Sequence, residues 1–79
     1  MTVTAYILLN VDMSSQNDVF ETIKTMDEVL EVNVIFGASD IIIKAEFQNN
    51  NHLSNFVVDK LKNLKGVLET QTNICAAVV

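Results

Sequence analysis

The residues Gly37-Ala38-Ser39-Asp40 are the part of this sequence best suited to hold a small charged ligand. They interrupt two runs of strand-forming residues, so they lie in a turn. Backbone N–H groups in such a turn can hold a carboxylate, and the Asp40 carboxylate can hold an ammonium group. The same four residues also fit a plain hairpin turn, with a positive φ angle at Gly37 and Asp40 as a cap on the backbone. Both interpretations stay open on these four residues alone.

The other reactive side chains do not form a recognisable catalytic or metal-binding set. His52 is the only histidine, and at the start of a predicted helix a neutral or capping imidazole is the simpler interpretation. Cys75 is the only cysteine and lies among apolar strand residues, which is typical of an inert core residue and excludes a disulfide within the chain. Two glycines cannot make a glycine-rich phosphate loop. We expect no catalytic residue, no cofactor and no metal site.

Length and charge narrow the class of protein further. A chain of 79 residues supports one domain, residues 1–79. Ten acidic residues stand against five lysines and no arginine, so no basic face is available for direct nucleic-acid binding. The longest apolar runs have five residues, which excludes a membrane-spanning helix. The first residues alternate like a strand and lack a basic leader, so we expect a cytoplasmic protein.

Hydrophobic periodicity predicts six elements that would position the turn. The first strand covers Thr2 to Val11, and a helix follows from about Ser15 to Glu28, where Ser15 and Asp18 resemble a capping box. The segments VLEVNVIF and DIIIKAEF form a hairpin around the turn. A second helix carries an apolar stripe and ends at Gly66 in a left-handed conformation. The last strand begins at VLETQT.

The order β-α-β-β-α-β predicts an α+β, ferredoxin-like fold: a four-stranded antiparallel sheet with both helices on one face. The uncovered face is then expected to carry six large apolar residues, which are Tyr6, Leu8, Ile35, Ile42, Leu68 and Ile74. Such a face favours two sheets packed against each other in a homodimer. The alternative is a monomer with scattered surface apolar residues.

Two motifs in this order resemble the effector-binding domain of the Lrp/AsnC family, called RAM for regulation of amino acid metabolism. Gly37 and Asp40 form a G-x-x-D turn between the second and third strands. The later passage KLKNLKGVLETQT matches the family's second motif at seven positions, which are Lys60, Leu61, Leu64, Gly66, Val67, Thr70 and Thr72. The resemblance covers essentially the whole chain in order and length.

The resemblance implies an effector-binding module in which dimers, paired through their sheets, assemble into rings, often octamers or decamers. Small effectors, typically amino acids, bind between dimers with the G-x-x-D turn contributing. The implied ligand-binding residues here are Gly37, Ala38, Ser39, Asp40, Thr70 and Thr72. The family often has tyrosine before the aspartate, where this chain has Ser39. Because the family's usual helix-turn-helix domain does not precede the first strand, the chain resembles a stand-alone RAM protein.

The leading hypothesis is therefore a non-enzymatic module that senses an amino acid or related metabolite and modulates a full-length Lrp/AsnC-type transcription regulator by co-assembly. One alternative is a structural assembly partner that binds no ligand. Another is a small dimeric α/β-barrel enzyme similar to antibiotic-biosynthesis monooxygenases, which share the strand and helix order. Such an enzyme needs a roomy pocket, whereas this chain has no tryptophan and fills its helix stripes with large aliphatic residues.

Overall fold

The central strand β1 (Val3–Val11) organises the molecule, because both of its neighbours in the sheet pair with it in antiparallel fashion. The computed structural model describes residues 2–77. β2 (Val29–Val34), β3 (Ile41–Phe47) and β4 (Val67–Ile74) complete a four-stranded sheet with the order β2-β3-β1-β4. The predicted ferredoxin-like α+β fold is confirmed.

Two helical segments connect the strands across one face of this sheet. The first begins with a 3-10 turn (Met13–Ser15) and continues as α1 (Gln16–Ile23). The second begins as α2 (Asn50–Asn55) and continues as a π-helical segment (Phe56–Leu61), in which the Lys62 N–H donates to the Val57 carbonyl at 3.0 Å. No helix within residues 2–77 combines the length and apolar composition needed to cross a membrane.

The core lies between the helices and one face of the sheet. Alternate residues of β1 and β3 are buried there, as the period-2 pattern predicts. The helices contribute apolar side chains at helical spacing, and the buried set is Ala5, Ile7, Leu9, Val11, Val19, Ile23, Ile41, Ile43, Ala45, Phe47, Leu53, Phe56 and Leu61. This packing fixes the register of β1 and β3, because a shift by one residue would turn the buried side chains to the other face.

The first helix is shorter than predicted, and its capping box is absent. α1 ends at Ile23, not Glu28, and the chain then tightens into turns in which the Thr25 hydroxyl donates to the Thr22 carbonyl at 2.7 Å. The Ser15 side chain makes no capping hydrogen bond, because the preceding 3-10 turn already places Ser15 in a helical conformation. The prediction of a capping pair between Ser15 and Asp18 was wrong.

The apolar patch on the open face of the sheet is smaller than predicted. Directly opposed residues of antiparallel strands share a face, and Ile74 lies opposite the buried Ala5, so Ile74 belongs to the helix side. Leu68 lies at a bulge in β4 and has no partner on β1. Among the apolar residues predicted for the open face, the strand pairing places three there, which are Tyr6, Leu8 and Ile42.

A second bulge changes the predicted faces of β2. Val29 lies opposite Ala45 and Val32 lies opposite Ile43, both on the helix side, while Leu30 falls at the irregularity between them and is exposed. Strict alternation along VLEVNVIF predicts that Leu30 shares the helix side with Val32, and this prediction was wrong. Bulges insert one residue and so reset the alternation on which the expectation depended.

Gly66 joins the second helical segment to β4 at a position where no other residue fits. Its φ angle is +95°, in the left-handed region, as predicted for this helix end. An added Cβ would also overlap the Cβ of Ser15. In addition, the Gly66 carbonyl accepts the Asp12 N–H at 2.7 Å, which ties this junction to the end of β1.

We expect Gly66→Ala to lower the free energy of unfolding by about 2–4 kcal/mol, from left-handed strain together with the overlap at Ser15. Urea unfolding followed by circular dichroism measures the change. Gly37→Ala is the matched control, since Gly37 does not have a positive φ angle and no atom of the described residues 2–77, its chain neighbours aside, lies within 4 Å of an added Cβ. Equal destabilisation by both variants would contradict the special role of Gly66.

Candidate functional site

Asp40 fastens the turn between β2 and β3 to the end of the central strand. Its Oδ2 accepts the Val11 N–H at 2.9 Å, its own N–H donates to the Leu9 carbonyl at 2.9 Å, and its carbonyl accepts the Ile35 N–H at 2.9 Å. The side chain thus replaces a strand partner where the pairing between β1 and β3 stops. The capping role that the sequence allowed for Asp40 is confirmed.

This fastening leaves several polar groups of the turn unused. Within residues 2–77, no hydrogen bond uses the Asp40 Oδ1 or the backbone N–H groups of Gly37, Ala38 and Ser39. Gly37 and Ala38 are exposed, while Ser39 and Asp40 are half-buried. The turn therefore offers one carboxylate oxygen and three backbone donors, which complement an ammonium group and a carboxylate.

A cleft of about 280 Å³ lies beside the turn. Gly37 and Asp40 line it on one side, and its walls are completed by residues from the end of β1, the 3-10 turn, the start of α1 and the two positions after β2. These further lining residues are Val11, Met13, Gln16, Ile35 and Phe36. The Met13 side chain is 87% exposed and the Phe36 side chain is fully exposed, so both project from the protein next to the cleft. The arrangement can hold a molecule of amino-acid size.

The hairpin interpretation does not explain why residue 37 is a glycine. That interpretation expected a positive φ angle at Gly37, whereas in the described chain only Gly66 has one. Within residues 2–77, no atom outside its chain neighbours lies within 4 Å of an added Cβ at Gly37. Neither conformation nor packing inside the protomer explains a glycine at this position, which leaves room for a close approach from outside.

The structure separates the predicted ligand-binding residues within one protomer. Gly37 and Asp40 line the cleft, whereas Ala38 and Ser39 belong to the same turn but do not line it. Thr70 lies on β4 opposite Leu9, and Thr72 lies opposite Ile7, on the side of β1 away from the turn. Each threonine borders a different shallow depression. Their contribution to binding stays a prediction that requires a second protomer.

Sequence reasoning did not find Met13 or Phe36 as cleft residues. Alternation along VLEVNVIF predicts that Phe36 lies on the same side of the strand as Val32 and Val34, and Met13 lies in the segment before the predicted helix. The available signal was a large apolar side chain directly beside each turn, where burial inside the protomer is difficult.

His52 belongs to a polar cluster that holds the second helical segment against the start of β2. Its Nδ1 accepts the Gln48 N–H at 3.1 Å, so the ring proton is on Nε2, which lies 3.2 Å from Glu28 Oε2. Lys60 Nζ lies 3.0 Å from the same carboxylate oxygen. Both ring nitrogens of His52 therefore make contacts within the protomer.

The Glu28 carboxylate is the centre of this cluster, and its side chain is only 11% exposed. Burial raises the pKa of Glu28, but hydrogen bonds from Lys60, from its own backbone N–H and from His52, with the attraction of the Lys60 charge, outweigh burial. The pKa of Glu28 therefore lies below its ordinary value of 4.5. Within residues 2–77, no group of three or more histidine, cysteine or acidic side chains could hold a metal ion.

Comparison with known proteins identifies the class to which this fold and turn belong. The family model for the Lrp/AsnC ligand binding domain matches residues 4–79. The chain belongs to this family.

An uncharacterised HTH-type transcriptional regulator of Pyrococcus horikoshii is 34% identical over 74 residues, which are 90% of this chain and 49% of the regulator. The chain therefore spans about half the length of the curated relatives that it matches. Among solved structures, FFRP-DM1 is 32% identical with a TM-score of 0.89, over 92% of this chain and 97% of that one. A Neisseria meningitidis transcriptional regulator, solved as a complex with L-Met, is 25% identical with a TM-score of 0.89, over 95% of this chain and 50% of that one.

We expect Glu28→Gln to flatten the dependence of stability on pH in the acidic range. A carboxyl whose pKa is lowered by folding stabilises the protein fully above its unfolded pKa and loses that contribution as the pH falls through the folded pKa. The wild type should therefore lose stability below about pH 4.5, and Glu28→Gln should lose less over the same range.

Urea unfolding at several pH values between neutrality and the acidic range measures this difference. Glu21→Gln is the matched control, because Glu21 forms an exposed ion pair with Lys24 within one helix turn. Parallel pH profiles for wild type and Glu28→Gln would contradict the assignment.

Proposed function

We propose that the chain is an effector-binding module that senses an amino acid or a related small metabolite and thereby modulates an Lrp/AsnC-type transcription regulator. The observation that carries the proposal is the state of Asp40. One carboxylate oxygen accepts a hydrogen bond from β1, while within residues 2–77 the other oxygen and three N–H groups of the turn make none, at the edge of a cleft.

The proposed binding mode follows from these groups. The ligand ammonium pairs with Asp40 Oδ1, and the ligand carboxylate accepts hydrogen bonds from the turn amides, beginning with Gly37, which lines the cleft. The absence of a side chain at Gly37 lets the ligand approach the backbone closely. The L-Met complex of the Neisseria meningitidis relative supports an amino acid as the class of ligand.

The proposed assembly places this turn between protomers. Dimers form when two sheets pack through their open faces around Tyr6, Leu8 and Ile42, and the dimers join into a ring of eight or ten protomers. The open face of the sheet supports this arrangement, because Tyr6 on that face remains exposed in a single protomer. A full-length regulator that carries the same domain can then join the ring through the same surfaces. Thr70 and Thr72 contribute to binding from a neighbouring protomer.

Isothermal titration calorimetry with a panel of amino acids tests ligand binding. We expect wild type to bind at least one amino acid and Asp40→Asn to bind it at least about tenfold more weakly, because the ammonium loses its charged partner. The asparagine carbonyl can still accept the Val11 N–H, so this variant keeps the fastening of the turn. Equal affinities would contradict the role of Asp40.

Asp40→Ala removes both the acceptor for the Val11 N–H and the charged partner of the ligand. Comparison with Asp40→Asn therefore separates the effect on folding from the effect on ligand binding. The Asp40→Ala variant leaves the Val11 N–H without its partner, which costs about 1–3 kcal/mol of stability. Gln48→Ala serves as a distant surface control, since Gln48 is exposed and lies outside the cleft.

Light scattering coupled to size-exclusion chromatography tests the assembly. We expect a mass of eight or ten chains of 8.8 kDa, and Tyr6→Glu should lower that mass because a charge would enter the contact between sheets. The control is Asn17→Asp, because Asn17 is exposed on α1 and lies away from the open face of the sheet. A monomer at all concentrations would contradict the ring. A ring whose mass and melting temperature ignore every ligand would favour a structural partner.

A further inference from the structure

We propose that the cleft selects amino acids with a large apolar side chain, and that Met13 and Phe36 determine this selectivity. The inference rests on the proposed function, since it assumes that the ammonium and carboxylate groups of an amino acid bind at Asp40 and the turn amides. It adds which side chain the ligand carries and which residues of this chain recognise it.

Apart from Gln16, the walls of the cleft away from the turn are apolar. Val11 and Ile35 form the inner part, and Met13 and Phe36 stand at the outside with most of their surface in water. An apolar ligand side chain that lies between Met13 and Phe36 would remove apolar surface of both residues from water. The protomer itself provides no such cover, because Phe36 is fully exposed.

The charges around the cleft disfavour a charged ligand side chain. Among residues 2–77, Asp40 is the only ionisable residue that lines the cleft, and its Oδ1 accepts no hydrogen bond there. The ligand ammonium takes that oxygen, so a lysine side chain would find no second acid in the lining. A glutamate side chain would meet no lysine there, in a chain with a net charge of −5. The one uncharged polar side chain in the lining is Gln16.

The volume of the cleft limits the size of the ligand that it can hold. Its volume of about 280 Å³ lies just below the range of roughly 300–1,000 Å³ that is usual for sites of drug-sized ligands. A single amino acid fits this space, whereas a dinucleotide does not. Methionine is flexible and adapts to ligands of different shape, so we expect several apolar amino acids to bind with similar affinity.

Calorimetric titration of wild type with leucine, methionine, phenylalanine, glycine, glutamate and lysine tests the selectivity. We expect the three large apolar amino acids to bind about tenfold or more tightly than the other three, because only they bury surface between Met13 and Phe36. Glycine reports binding of the headgroup alone.

Three variants test the two residues. Phe36→Ser and Met13→Ser should each reduce the preference for leucine over glycine by about threefold or more, while the affinity for glycine stays unchanged. Phe36→Leu should restore most of the preference. Leu30→Ser is the matched control, because Leu30 is an exposed apolar residue of β2 that does not line the cleft.

The outcomes separate this inference from the proposed function. If no amino acid binds, the proposed function fails and the inference fails with it. If glutamate, lysine or glycine binds as tightly as leucine and Asp40→Asn weakens that binding, the proposed function holds and the selectivity is wrong. If Phe36→Ser lowers the mass of the assembly without ligand and leaves the preference unchanged, Phe36 is a contact between copies and its assignment is overturned.

Discussion

The hydrogen bond from the Val11 N–H to Asp40 Oδ2 joins residues 29 positions apart and sets where the turn lies. From the other side, the Gly66 carbonyl accepts the Asp12 N–H, so the chain after the second helical segment is fixed to the same end of β1. Both connections thus meet where the central strand stops. The cleft exists because the 3-10 turn leaves β1 at this junction, between the two fastened segments.

The helices cover one face of the sheet and leave the other face open. Helix packing buries alternate residues of β1 and β3 almost completely, while the open face has a narrow apolar patch beside polar residues such as Gln71 and Asn73. A contact centred on this patch would be small and bordered by polar groups, which is the usual anatomy of an interface between folded protomers. Of the other exposed large apolar residues, Leu30 and Leu68 lie at bulges and Val34 and Ile74 lie at strand ends. The rest lie outside the strands, and these are Met13, Phe36 and Val58.

Much of the architecture could be predicted from sequence because it follows from regular periodicity. The order of elements, the buried face of β1 and β3 and the left-handed Gly66 all follow from local patterns. The faces of β2 and the end of β4 could not be predicted, since each bulge adds a residue that alternation does not reveal. For the candidate site, the motif located Gly37 and Asp40, but Val11, Met13 and Gln16 come from a distant segment that only folding brings next to the turn.

The double use of Asp40 has a consequence for how sequence variation among relatives is interpreted. An aspartate at this position can be retained by selection for the fastening of β1 alone, even in a protein that has lost its effector. Its presence is therefore weak evidence that a relative senses anything. The side chains of Met13 and Phe36 have no comparable structural role, because both are largely exposed to solvent. Divergence between sensors of different ligands should accumulate at those two positions, while the aspartate stays the same.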